Sequence, residues 1–104
     1  MLTRIGIAAV SIFVTSLAFA QTPENFEGCP RKGVESRCLM LETSDGKKYD
    51  ITSIKPRPKV DHLGIQITGV RSNDPTTCQE GILLKDIKWN GKYTKQNCKP
   101  KPKP

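Results

Sequence analysis

Apolar positions in this chain recur mostly every second residue rather than every third or fourth. Leu63–Arg71 reads Leu-Gly-Ile-Gln-Ile-Thr-Gly-Val-Arg, which puts Ile65 and Ile67 on one face and Gln66 and Thr68 on the other, as in a half-buried strand. Residues 38–43 and 48–54 can alternate in the same way, and the Asp45-Gly46 pair between them accepts positive φ, so a β-hairpin is predicted there. Asn90-Gly91 predicts a second hairpin between residues 81–89 and 92–96. Lys55-Pro56-Arg57-Pro58-Lys59 lacks two backbone donors and reads as an exposed, extended linker, while residues 72–77 form a turn-rich loop leading into Cys78. No amphipathic helical pattern of about 10 residues or more follows residue 20. The expected fold class is therefore all-β, a small five-stranded antiparallel barrel or twisted meander, either of which protects its sheet edges.

A resemblance refines that expectation. Gly33-Val34-Glu35 taken as a strand, Cys38 to Leu41, Asp45-Gly46-Lys47 with Tyr49, Ile65 to Gly69, and Thr77-Cys78 with Gly81 together resemble small exported bacterial proteins with an OB-like β-barrel, over residues 28–89. The resemblance implies a fold and no activity. The chain departs from the usual OB pattern at residues 72–80, which are too few for a substantial helix between the third and fourth strands.

The first twenty residues belong to a different class. Arg4 is their single charge, residues 5–20 carry none, Ala18-Phe19-Ala20 puts small residues at both positions a signal peptidase must accommodate, and composition changes abruptly at Gln21-Thr22-Pro23-Glu24. This predicts a secretory signal peptide cleaved after Ala20. A membrane anchor needs about 20 consecutive apolar residues, whereas this run is interrupted by Gly6, Ser11, Thr15 and Ser16. No second apolar run of comparable length occurs, and Cys29 is too far from the cleavage point to carry a lipid. The mature chain is expected to be a periplasmic or secreted monomer without a transmembrane segment. Residues 21–98 would form its single domain and 99–104 a basic Lys-Pro tail.

Export changes the meaning of the cysteines. Cys29, Cys38, Cys78 and Cys98 are separated by 8, 39 and 19 residues, with no close chelating pair and no histidine nearby, so two disulfides rather than a zinc site are expected. A core this small also needs staples. Of the three connectivities, Cys29 with Cys98 and Cys38 with Cys78 is preferred because the first bond would tie the ends of the fold. The sequential pairing would still close a loop of about 20 residues worth about 3 kcal/mol, so energy leaves the choice open.

Charge then points to a class of partner. The chain has 17 Lys and Arg against 10 Asp and Glu, a net +7, and loses only Arg4 with the leader. Candidate anion-binding residues fall in three places: Lys55, Arg57 and Lys59 in the linker, Lys88, Lys92 and Lys95 around Asn90-Gly91, and Lys99, Lys101 and Lys103 in the tail. Alternating proline stiffens the first and last segments, so their cations would bind at low ordering cost. An anionic polymer, a lipid headgroup or an acidic protein surface would suit them, and solubility alone is the other reading of the tail. Trp89 and Tyr93 flank the Asn90-Gly91 turn either as a contact surface or as ordinary cross-strand packing. With Phe26 and Tyr49 the only other rings after the leader, specific nucleic-acid binding is not expected.

Catalytic constellations are not apparent. His62, the one histidine, adjoins Asp61 but has no nucleophile nearby in sequence; no two cysteines lie two residues apart, glycines are dispersed and carboxylates scattered. No catalytic residue, metal or cofactor is expected. The function expected is an exported non-catalytic binding module for an anionic envelope component or acidic partner. The alternative is a secreted inhibitor or effector in which a stapled loop such as residues 73–79 enters the cleft of a target enzyme.

Overall fold

The strand that organises the fold is one the alternation rule passed over. In a computed structural model, which describes residues 22–100, Glu24–Lys32 forms β1, followed by β2 (Leu39–Thr43), β3 (Lys48–Asp50), β4 (Leu63–Arg71), β5 (Ile82–Lys88) and β6 (Tyr93–Asn97). The expected signal peptide, residues 1–20, and the tail residues Lys101 and Lys103 lie outside the described residues. β1 serves two neighbours: its first half pairs with β4, from Glu24 opposite Gly69 to Gly28 opposite Ile65, and its second half pairs with β2. Gly28 belongs to both pairings, and a Cβ there would stand 2.3 Å from the Glu42 carbonyl oxygen. Pro30 is tolerated inside β1 because its carbonyl points away from β2 and accepts the Asp61 N–H at 3.1 Å, so the donor it lacks is not one β2 needs.

Hydrogen bonding runs β1-β2-β3-β5-β4 and returns to β1, closing a five-stranded barrel of OB-like order, with β6 as an additional strand on β4. The all-β class holds, and no helix occurs among the described residues. The antiparallel expectation is corrected at one seam: β3 and β5 are parallel, with Tyr49 opposite Ile82 and Asp50 opposite Leu83. A closed ring of five strands cannot alternate direction throughout, so one parallel pair is unavoidable. Inside lie Phe26, Leu39, Leu41, Tyr49, Ile65, Ile67 and Leu84, with the Phe26 and Tyr49 rings 4.7 Å apart. The disulfides are Cys29–Cys98 and Cys38–Cys78, with Cα separations of 5.5 and 6.1 Å.

Three local expectations need revision. Gly33-Val34-Glu35 is not a strand but part of the return from β1 to β2: Gly33 N–H donates to the Cys38 carbonyl and Cys38 N–H to that of Glu35, both at 2.9 Å, leaving Val34 84% exposed. Antiparallel pairing of Lys32 with Leu39 requires the chain to reverse there. The Asp45-Gly46 hairpin forms as expected, with Gly46 at φ 85°, but Asn90-Gly91 makes no hairpin. β5 and β6 instead lie in series along the same edge of β4, Lys88 opposite Thr68 and Tyr93 opposite Ile65. Finally, residues 55–59 are exposed as expected except at Pro58, which is buried, and the segment is tied to the barrel: Lys59 N–H donates to the Tyr93 hydroxyl at 2.9 Å, and the Arg57 guanidinium reaches the Arg37 carbonyl at 2.8 Å.

Candidate functional site

The pairing of β5 and β6 with β4 creates an open concavity on the barrel. Between Lys88 and Tyr93 the chain advances five positions while β4 advances three, from Thr68 to Ile65. The surplus rises off the sheet as a short outgrowth, residues 89–92, beside the outward face of β4. On that face stand Gln66 and Thr68, and β1 brings Asn25 opposite Thr68. The open groove between outgrowth and sheet measures 580 Å³ and is lined by Asn25 of β1, by β4 from Gln66 to Thr68, and by the segment from Lys88 to Thr94 apart from Gly91.

Its aromatic wall is held by hydrogen bonds at each polar atom. Trp89 Nε1 donates to the Lys92 carbonyl at 3.0 Å, Asn90 Oδ1 accepts the Lys92 N–H at 2.9 Å, and the Tyr93 hydroxyl accepts from Lys59. The two rings meet edge to face with centroids 5.4 Å apart, and both rest against the core. With no β5–β6 pair, the packing is not across a hairpin: the rings pack on each other and on the core, and both border the groove. By contrast, the Asn25, Gln66 and Thr68 side chains and the Lys88 and Lys92 ammonium groups make no hydrogen bond among the described residues. Sequence reasoning missed Asn25, Gln66, Thr68 and Thr94. Alternation along β4 did mark Gln66 and Thr68 as outward, but only the β4–β6 register places them beside Trp89.

The basic residues divide into two sets. Ion pairs join Arg31 to Glu42 and Asp61, Arg37 to Glu35, Lys48 to Glu80, Arg71 to Glu24, and Lys85 to Asp74. Among the described residues none of Lys32, Lys47, Lys55, Arg57, Lys59, Lys88, Lys92, Lys95 or Lys99 has such a partner. Lys88 and Lys92 come together at the groove, and the backbone of Lys59 is tied to it through Tyr93. Arg57 contacts the β1–β2 turn instead, Lys55 and Lys95 are exposed, and Lys99 lies in a separate 500 Å³ groove with Arg31, Glu42 and Gln96.

Asp61 and His62 do not form a dyad. Asp61 Oδ1 accepts from Arg31 at 2.7 Å, and the exposed His62 ring sits edge-on to Tyr93 at 5.5 Å. Arg31 also reaches the Cys98 carbonyl, so it joins β1, the β3–β4 connection and the end of β6. The buried Asp50 carboxylate accepts from the Thr52 amide at 3.0 Å and hydroxyl at 2.6 Å, closing the turn after β3.

Two exposed carboxyls titrate low. Asp45 is held below the ordinary carboxylate range by the Thr43 hydroxyl first and the Lys47 amide next. Asp74 is held low by the ammonium group of Lys85, as hydrogen-bond donor and as charge, with Ser72 adding to it. Asp74 belongs to the β4–β5 loop, which Cys38–Cys78 staples to the β1–β2 turn and which Glu80 ties again by accepting the Val34 N–H at 3.0 Å.

Among the described residues, no helix is long and apolar enough to cross a membrane, and no group of three or more His, Cys, Asp or Glu side chains is placed to hold a metal ion. Neither a family model, nor a curated protein, nor a solved structure matches this chain.

Proposed function

We propose that this protein is an exported, non-catalytic binding module for an anionic component of the cell envelope, and that the groove between β4 and the 89–92 outgrowth is its principal contact. The observation that carries this reading is that Lys88 and Lys92, without acidic partners among the described residues, stand over hydrogen-bonding side chains likewise without partners and beside a fixed aromatic wall. The leader at residues 1–20 and the two disulfides support export. The test is binding of the mature chain to lipopolysaccharide, heparin and other acidic polymers as salt is raised. Affinity should fall steeply between low ionic strength and 0.1 M or so, where the Debye length is about 10 Å. No binding to any of them at low salt overturns the proposal.

A second reading rests on the other end of the barrel. The β4–β5 loop is preorganised by Cys38–Cys78 and by Glu80, and the fully presented Val34 stands beside it, as suits an inhibitor or effector that docks on one enzyme. It predicts a single stoichiometric partner that persists at high salt and is lost on disulfide reduction, with no dependence on Lys88 or Lys92.

A further inference from the structure

Resting on the binding-module reading, we infer that the groove takes an acidic carbohydrate, a glycan bearing one carboxylate or sulfate per sugar or fewer, rather than a phosphate polymer or a lipid headgroup. The argument starts from the balance of donors and acceptors. Asn25, Gln66, Thr68 and Thr94 each present an acceptor as well as a donor, and of their side-chain atoms only the Thr94 hydroxyl is engaged, accepting the Gln96 N–H at 3.2 Å. A phosphate chain offers acceptors only and would leave the amide oxygens facing lone pairs. Sugar hydroxyls donate and accept, so they can satisfy both halves of each amide.

The wall points the same way. The indole N–H is already spent on the Lys92 carbonyl, so Trp89 offers the groove carbon surface alone, and the Tyr93 hydroxyl, which accepts the Lys59 N–H, keeps its own proton to donate; ring carbon beside one hydroxyl donor suits the C–H face and an oxygen of a sugar. Their planes are inclined at 77°, so they do not form the run of separate stacking platforms that successive nucleobases use. Lys88 and Lys92 supply cationic donors for the acidic group. Glu27, opposite Gln66 on the same face of β1 and β4, sets a limit on charge density: a polymer charged at every short repeat would meet it, whereas a glycan can place a hydroxyl there.

The chain contains a single tryptophan, Trp89, so intrinsic fluorescence reports directly on this groove. Titration of the mature protein with hexasaccharides of galacturonate, alginate and hyaluronan, which carry one carboxylate per sugar or fewer, should shift that emission. An uncharged glucose hexamer should bind weakly, and polyphosphate of matched charge at least about tenfold more weakly than the best acidic glycan. Lys88→Ala and Lys92→Ala should each weaken glycan binding about tenfold, while Lys55→Ala and Lys99→Ala, away from the groove, should leave it within about twofold. Gln66→Ala, an exposed position that leaves the core untouched, should weaken glycan binding and spare polyphosphate binding. Polyphosphate binding as tight as the glycans, or glycan binding that leaves the Trp89 emission unmoved, overturns the inference while leaving a polyanion-binding module standing. Absence of binding to every acidic glycan and to polyphosphate at low salt overturns both.

Discussion

Replacing Gly28 by alanine tests the geometry on which the barrel depends. Gly28 pairs with Ile65 on one side and Thr43 on the other, and the added methyl would stand 2.3 Å from the Glu42 carbonyl oxygen, 2.9 Å from its carbon and 3.1 Å from the Thr43 Cα. All three are backbone atoms, so no rotamer change relieves the clash; β1 must move away from β2, from β4, or from both. Overpacking of this kind costs about 3 kcal/mol, against which the stiffer unfolded chain returns about 0.5 to 1 kcal/mol. The net loss of about 2 kcal/mol or more corresponds to a fall in Tm of about 10 to 20 °C for a domain of this size. Gly46→Ala is the control. Gly46 has φ +85° and nothing within 4 Å, so alanine there meets only the left-handed backbone penalty of about 1 to 2 kcal/mol with the same offset. Thermal unfolding followed by circular dichroism, with disulfides intact, should rank the wild type above Gly46→Ala and Gly46→Ala above Gly28→Ala. A Gly28→Ala protein that melts with or above the Gly46→Ala protein would refute the assignment of Gly28 as the point where one strand serves two neighbours.

Other expectations are more local. Cys38→Ala with Cys78→Ala opens a loop of sequence separation 40, for which the chain-entropy model gives about 4 kcal/mol; a shift of less than about 1 kcal/mol in chemical denaturation would contradict the bond's role as a staple. Arg31→Met removes bonds to Glu42, Asp61 and the Cys98 carbonyl together and should cost about 1 to 3 kcal/mol, read by the same melt. The low-titrating carboxyls stabilise the folded state fully above their unfolded value of 3.8, and that contribution fades as pH falls through their depressed folded values. Carboxyl-carbon titration by NMR should show high salt, or Lys85→Ala, returning Asp74 toward 3.8 while Asp45, held chiefly by the Thr43 hydroxyl, stays low. Equal movement of both would place their cause in general charge instead.

Period-two alternation made β4 and the Asp45-Gly46 hairpin legible because their side chains obey a local rule. β1 was illegible for a physical reason: Asn25, Glu27, Gly28 and Pro30 are poor strand formers singly, and they are accepted because the barrel bends at Gly28 and β2 does not need a donor from Pro30. Gly33-Val34-Glu35 misled in the opposite sense, since a β-branched residue beside a glycine suits a strand locally but here tops a turn. The preferred disulfide pairing followed from tying the ends, which the closed barrel does bring together. For the groove, Lys88, Lys92, Trp89 and Tyr93 could be named from sequence as a cluster around one turn. Their partners on β1 and β4 could not, because register across strands far apart in sequence is set by the whole barrel.

That register yields the sharpest separation of fold from site. Removing Asn90 and Gly91 would leave three steps between Lys88 and Tyr93, matching the three from Thr68 to Ile65. Trp89 would then fall opposite Ile67 and Lys92 opposite Gln66. Alternation would keep Trp89 and Tyr93 on the face shared by the buried Ile67 and Ile65, with Lys88 and Lys92 on the outward face of Thr68 and Gln66. The shortened chain should therefore fold with β5 and β6 fused into one strand, and its Tm should stay within a few degrees of the parent. What it loses is the outgrowth: the Asn90-capped turn, the Trp89 bond to the Lys92 carbonyl and the wall of the groove. Every cation is retained, so binding driven by charge alone would survive the deletion, whereas binding that needs the groove would vanish from a protein of unchanged net charge. Retained affinity in the folded deletion variant would move the site elsewhere on the basic surface. Failure to fold would show instead that the outgrowth is demanded by the barrel, and that its two extra residues serve packing before any ligand.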